Sequence, residues 1–121
     1  MLTGILVGES VRTGAALEGL ELRLYRVTGV EVLDPAPGQP PHWTLLEFGA
    51  EEQQAPDLAA ALAQCLESGP WYASFTAGDE VFVVFADRVF RYNRGDRSGR
   101  ARAAQYARTV GVPEKQLDWA E

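Results

Sequence analysis

Trp71-Tyr72-Ala73-Ser74-Phe75, Val81-Phe82-Val83-Val84-Phe85 and Val89-Phe90-Arg91-Tyr92 follow one another closely. Each is rich in aromatic or β-branched residues, which suit a pleated, packed surface. Ala77-Gly78-Asp79-Glu80 joins the first two runs and Ala86-Asp87-Arg88 the last two. Connectors this short link antiparallel neighbours, so the segment from Trp71 to Tyr92 predicts a three-strand meander. Its middle run is apolar at every position, which requires cover on both faces. Helices cover one face; the N-terminal region or a second copy of the chain covers the other.

On the N-terminal side of the meander, Pro56 suits a first helical position, with Asp57 beside it favouring the positive helix end. Leu58, Ala61, Leu62, Cys65 and Leu66 recur at helical spacing and predict a core-facing stripe, stopped by Ser68-Gly69-Pro70. Before that helix, Trp43 to Phe48 reads as a strand. It is separated from an earlier strand by Asp34-Pro35-Ala36-Pro37-Gly38-Gln39-Pro40-Pro41, whose prolines forbid helix and ladder pairing. The earlier strand alternates Leu20, Leu22 and Leu24 with Glu21 and Arg23, and continues through Val27, Val30 and Val32 past a bulge or bend at Gly29. Ile5-Leu6-Val7 reads as a short strand, and Glu9 to Leu17 has no assignment.

Beyond the meander, Asp96 predicts the N-cap of a helix through Val110 that buries Ala103, Tyr106, Ala107 and Val110, with Gly111 and Pro113 ending it. Leu117 and Trp119 anchor the tail. The expected class is α+β: a two-layer sandwich of a mainly antiparallel sheet with two helices, partly ferredoxin-like through the split βαβ pattern of Trp43 to Val110. A length of 121 residues suits one domain, 1–121, and 46% apolar with 23% charged residues is ordinary for a globular chain.

Charge is segregated. Arg88 to Arg108 holds seven of the eleven basic residues against one acid, a formal +6, while the remainder holds four bases against sixteen acids, −12. Arg94, Arg97 and Arg100 lie near a glycine-bearing turn and a helix N-terminus, where free N–H groups favour anions, and are the candidate contacts for a phosphate, a carboxylate or an acidic partner surface. Arg102 stands about 200° round the helix from Arg100 and cannot share one patch with it. An acidic body and a sequence pI near 4.8 disfavour nucleic acid.

Catalytic motifs are lacking. His42 is a lone loop histidine with no metal-ligand spacing around it. Cys65, the only cysteine, falls on the apolar stripe; it excludes an intrachain disulfide and is compatible with a reducing compartment. No signal peptide or membrane span is expected, which favours the cytoplasm. Neither a metal nor a cofactor is expected.

Trp43-Thr44-Leu45-Leu46-Glu47-Phe48, the run Val81 to Asp96, and Gly111-Val112-Pro113 with Gln116-Leu117-Asp118-Trp119 resemble small, uncharacterised bacterial proteins of similar length. The resemblance implies a bacterial cytoplasmic origin and carries no activity.

The reading is therefore a non-catalytic cytoplasmic binding domain. It is expected to pair as a homodimer through the meander face, with Phe82, Val84 and Tyr92 as interface candidates and Arg94, Arg97 and Arg100 meeting an acidic partner. The alternatives are an enzyme or sensor that takes a small phosphate or carboxylate at the Arg94–Arg100 turn, and a nucleic-acid binder. Trp43, Trp71 and Tyr72 belong to an aromatic set too large for one helix layer to cover, so an aromatic sheet face forming an interface or a ligand cleft is also in view.

Overall fold

The computed structural model describes residues 1–119. In chain order it holds β1 (Leu2–Val7), β2 (Arg23–Glu31), β3 (His42–Ala50), α1 (Ala55–Cys65), β4 (Ala73–Ala77), β5 (Glu80–Phe85), β6 (Arg88–Asn93) and α2 (Arg97–Thr109). The six strands form one sheet in the order β2-β3-β1-β4-β5-β6, every neighbouring pair antiparallel. This is the expected α+β class. β3 and β4 both run antiparallel to β1, which lies between them, so they are parallel to each other and joined through α1. That is a split βαβ unit.

The meander forms, with its first strand running Ala73–Ala77, so that Trp71 and Tyr72 precede it. Its two hairpins turn on Gly78 (φ 60°) and Asp87 (φ 59°). Tight two-residue hairpins need left-handed backbone, which glycine supplies freely and aspartate tolerates. Alternation along β5 then sorts its side chains into two cores. Phe82 and Val84 pack with Leu58 and Leu62 of α1, Phe48 of β3 and Phe75 of β4. Val81, Val83 and Phe85 pack on the opposite face with Tyr92, Ala103, Ala107, Val112 and Trp119.

The sheet is thus layered against α1, and the cover of the second face of β5 comes from α2 and the tail instead of the N-terminal region or a second copy. Phe82, Val84 and Tyr92, the expected interface residues, lie inside these cores, and all three are buried within the single chain. Each such apolar side chain contributes about 1.5–3 kcal/mol by its removal from water.

Helix α1 buries Ala55, Leu58, Ala59, Leu62 and Cys65. It ends earlier than the Ser68-Gly69-Pro70 signal, because Leu66 turns extended and forms a bridge with Val11. Helix α2 starts where the sequence predicts: the Asp96 carboxylate accepts the Gly99 N–H at 3.0 Å. Gly99 also permits the packing, since a Cβ there would stand 2.4 Å from Tyr92 Cβ. The helix meets β6 at backbone range.

In β2 the irregularity falls between Leu24 and Arg26, not at Gly29, which pairs regularly with Thr44. The cause is Gly49 on β3. The Tyr25 ring lies over it so closely that a Cβ would be 2.7 Å from the ring, and the extra residue at Tyr25 makes that placement possible. The proline loop joins β2 to β3, closed by the Val32 N–H donating to Pro41 O at 2.7 Å.

Candidate functional site

Register decides which side chains of the other half of the sheet face the α2 side. Thr3, Ile5 and Val7 of β1 share that face with Trp43, Leu45 and Glu47 of β3, and with Ser74 and Thr76 of β4. Their neighbours in sequence, such as Leu2, Leu6 and Phe48, point to the α1 core. Helix α2 sits on β5 and β6 and does not extend over these strands, and the uncovered face is the floor of a cleft of about 1000 Å³. Ile5 on that floor is 46% exposed.

Aromatic side chains line one end. The Trp43 and Trp71 rings are tilted with centroids 5.3 Å apart, and Tyr72 meets Trp119 edge-on at 5.2 Å. Three of the four are held by a polar handle: Trp43 Nε1 donates to Pro40 O at 3.0 Å, and Trp119 Nε1 to Tyr92 Oη at 2.7 Å. Tyr72 Oη donates to Gln116 O and lies 3.3 Å from Asp118 Oδ1. Burial, reinforced by the Asp118 charge, pushes the Tyr72 phenol well above the ordinary tyrosine range, so it stays protonated and keeps its hydrogen bond.

The wall that carries Asp118 and Trp119 is the tail, and Arg100 fixes it. Its Nη1 donates to Trp119 O at 3.0 Å, its Nη2 to Leu117 O at 3.3 Å, and its guanidinium lies 4.8 Å from the Trp119 ring centroid. Gln39 ties the proline loop to the same wall: its Nε2 donates to Gln116 Oε1 at 3.1 Å and its Oε1 accepts from Gln116 Nε2 at 3.0 Å.

Charges around the cleft are mainly acidic. Glu47 stands 3.7 Å from Arg26, and Lys115 is paired with Asp34. Asp118 lines the cleft with no ion-pair partner among the described residues, whereas Glu31, opposite His42, belongs by register to the other face of the sheet.

The sequence-predicted arginines separate. Arg94 and Arg97 are exposed at the turn into α2, whereas Arg100 is turned into the tail. Beside them the Asp96 carboxylate takes up a helix N-terminal N–H. Arg91 is bound bidentately to Glu80, at 2.6 and 2.8 Å, and Arg108 is paired with Glu114. These contacts hold the two glutamates below their usual pKa and raise the two arginines.

His42 is exposed at the start of β3. Cys65 is buried, its thiol donating to Ala16 O at 3.3 Å. Among the described residues no helix is long and apolar enough to cross a membrane.

The surplus of aromatics, including Trp43, Trp71 and Tyr72, is visible in the sequence; the places of Thr3, Ile5 and Asp118 in the cleft are not. The alternation Thr3-Ile5-Val7 against Leu2-Leu6 was the available signal for β1. Nothing in the sequence brings Asp118 to Tyr72. Compared with protein-family models, curated proteins and solved structures, the chain gives no match.

Proposed function

We propose that the chain is a non-catalytic binding domain whose ligand occupies the cleft over β1, β3 and β4, and that this ligand is an organic cation with an apolar body. The observation that carries the reading is the pairing of an aromatic end wall with the Asp118 carboxylate, which has no ion-pair partner among the described residues. Aromatic faces attract ammonium and guanidinium groups, by about 0.5–2 kcal/mol each according to desolvation. The apolar floor of Ile5, Val7 and Leu45 suits the body of such a ligand, and the volume is at the upper end of small-molecule sites. The protonated Tyr72 and the pinned tail make the wall ready before binding, which lowers the ordering cost. The single buried Cys65 supports a reducing, cytoplasmic setting.

The test is thermal unfolding and tryptophan fluorescence with ligands that share one phenylalkyl body and end in trimethylammonium, hydroxyl or carboxylate. The cationic member is expected to stabilise the fold and perturb the fluorescence, the others far less, and the effect should fall in Asp118→Asn. Equal response to all three ends, or none to any, would refute the reading.

A second reading rests on Arg94 and Arg97, which have no acidic partner among the described residues. They suit an anionic group or an acidic protein surface. Stabilisation by phosphate or by the carboxylate ligand, lost in Arg94→Ala/Arg97→Ala, would favour this site over the cleft.

A further inference from the structure

The floor of the cleft changes character along its strands. Thr3 of β1 stands opposite Thr76 of β4, and Ile5 opposite Ser74, so three hydroxyl side chains share the cleft face across one strand seam. Ile5, Val7 and Leu45 supply the apolar part. Trp43 precedes Leu45, the partner of Val7, and Tyr72 precedes Ser74, so the aromatic wall stands at the Val7 end and the threonines at the other. Four positions of β1 separate Thr3 from Val7, about 13 Å at the ordinary rise of a strand.

The hydroxyl end is bounded on both sides. The Tyr25 ring lies over Gly49, the β3 partner of Thr3, and the buried Val81 is the β5 partner of Thr76. Gly4 seats β1 tightly against β4, since a Cβ there would stand 2.5 Å from Phe75 Cβ. Among the described residues, the serine and threonine hydroxyls that take part in hydrogen bonds are those of Ser10, Thr28, Thr44 and Thr109. Thr3, Ser74 and Thr76 are left with their hydroxyls free, and Ser74 and Thr76 are half-buried. Glu47, the charged residue on this part of the floor, already has Arg26 at 3.7 Å. This end thus offers hydrogen bonds without a free charge.

We propose that Thr3, Ser74 and Thr76 form a second subsite of the cleft, which takes an uncharged hydrogen-bonding group at the far end of the ligand. On the reading of the cleft as an organic-cation site, which this deepens, the ligand is elongated. Its cationic head lies among the aromatic rings beside Asp118, its apolar body over Ile5 and Val7, and its hydroxyl or amide end about 13 Å away. Each protein hydroxyl both donates and accepts, so the three match an end group that does the same. An apolar end placed there would strip water from the hydroxyls with nothing in return. A charged end would lose its hydration to partners that carry no charge.

The test is isothermal titration calorimetry with ligands that share a trimethylammonium head and an alkylphenyl body of that length and end in methyl, hydroxyl, primary amide or carboxylate. The hydroxyl and amide members are expected to bind about tenfold more tightly than the methyl member, and the carboxylate no better than it. Thr3→Val/Thr76→Val keeps side-chain shape and strand propensity, and should abolish the preference while the methyl member still binds. Ser74→Ala should reduce the preference in part, and circular dichroism checks the fold of both variants. Equal binding of the methyl and hydroxyl members by the wild type would overturn the subsite and leave the cationic head site standing. No binding by any member would overturn both. A preference that survives intact in the folded variants would also overturn the subsite.

Discussion

β5 and β2 belong to one sheet and share little else. β5 is sealed on both faces by the chain's own helices, with every side chain from Val81 to Phe85 buried. β2 lies at an edge, most of its side chains are exposed, and its α2-side face opens into the cleft. One half of the molecule therefore holds the fold and the other half has the free surface to do something with it. Strand regions with few buried neighbours contribute little to global stability, and they are where binding is tolerated without loss of the core. The placement of α2 over β5 and β6, which leaves the same face of β1, β3 and β4 uncovered, is what creates the division.

The strongest way to break this contrast is to put a charge on each half. Phe82→Asp places an unpaired carboxylate in the α1 core, and should cost more than about 4 kcal/mol, a large part of any domain's stability. An insoluble or unfolded product is expected, not the soluble monomer that an interface role for Phe82 implies. Ile5→Asp, on the cleft floor, should cost only about 1 kcal/mol, since Ile5 is half exposed already. Urea unfolding of the two variants gives the comparison; equal losses would mean that the cleft floor is part of the sealed core.

Much of this division was legible and part was not. The uniformly apolar Val81–Phe85 announced a strand covered twice, and Asp96 announced the start of α2, because both signals are local: burial shows in composition, and capping in a single side chain. The identity of the second cover was not local. Gly99 reads as an ordinary helix weakness until Tyr92 is seen 2.4 Å from where its Cβ would be. Arg100 reads as one of a basic series until the tail returns to accept its hydrogen bonds. Likewise the bulge at Tyr25 depends on Gly49, on a different strand, and Gly29 was the more visible but incorrect signal. The site suffered most, since its floor comes from strands far apart in sequence and brought together by the insertion of β1 between β3 and β4.

Two glycines sharpen the contrast at lower energy. Gly99→Ala gains helix propensity of about 1 kcal/mol. It also forces the new Cβ against the Tyr92 side chain, and the net result should be a loss of about 1–3 kcal/mol. Gly29→Ala on β2 meets no atom within 4 Å, and should raise stability by about 0.4–1 kcal/mol by restricting the unfolded chain. Opposite signs for one chemical change would place the close packing in the α2 half. A loss at Gly29 would instead show that β2 is already packed within the chain.

The smallest effect sits on the boundary between the halves, at Tyr72. Its phenol is held protonated by burial and by Asp118, above the range of an exposed tyrosine, which ionises near pH ~10. The folded chain therefore keeps a proton that the unfolded chain releases. The stability this supplies is complete below that unfolded value and is lost as pH rises through it toward the folded one. Tyr72→Phe removes the hydrogen bond to Gln116 O, at about 1 kcal/mol near neutral pH, together with the alkaline dependence. Thermal melts from neutral to strongly alkaline pH should show wild type falling toward the variant and the variant itself falling less. If the two curves stay parallel, the phenol does not couple to folding, and the tail that walls the cleft is held by its other contacts, with Arg100, Tyr92 and Gln39.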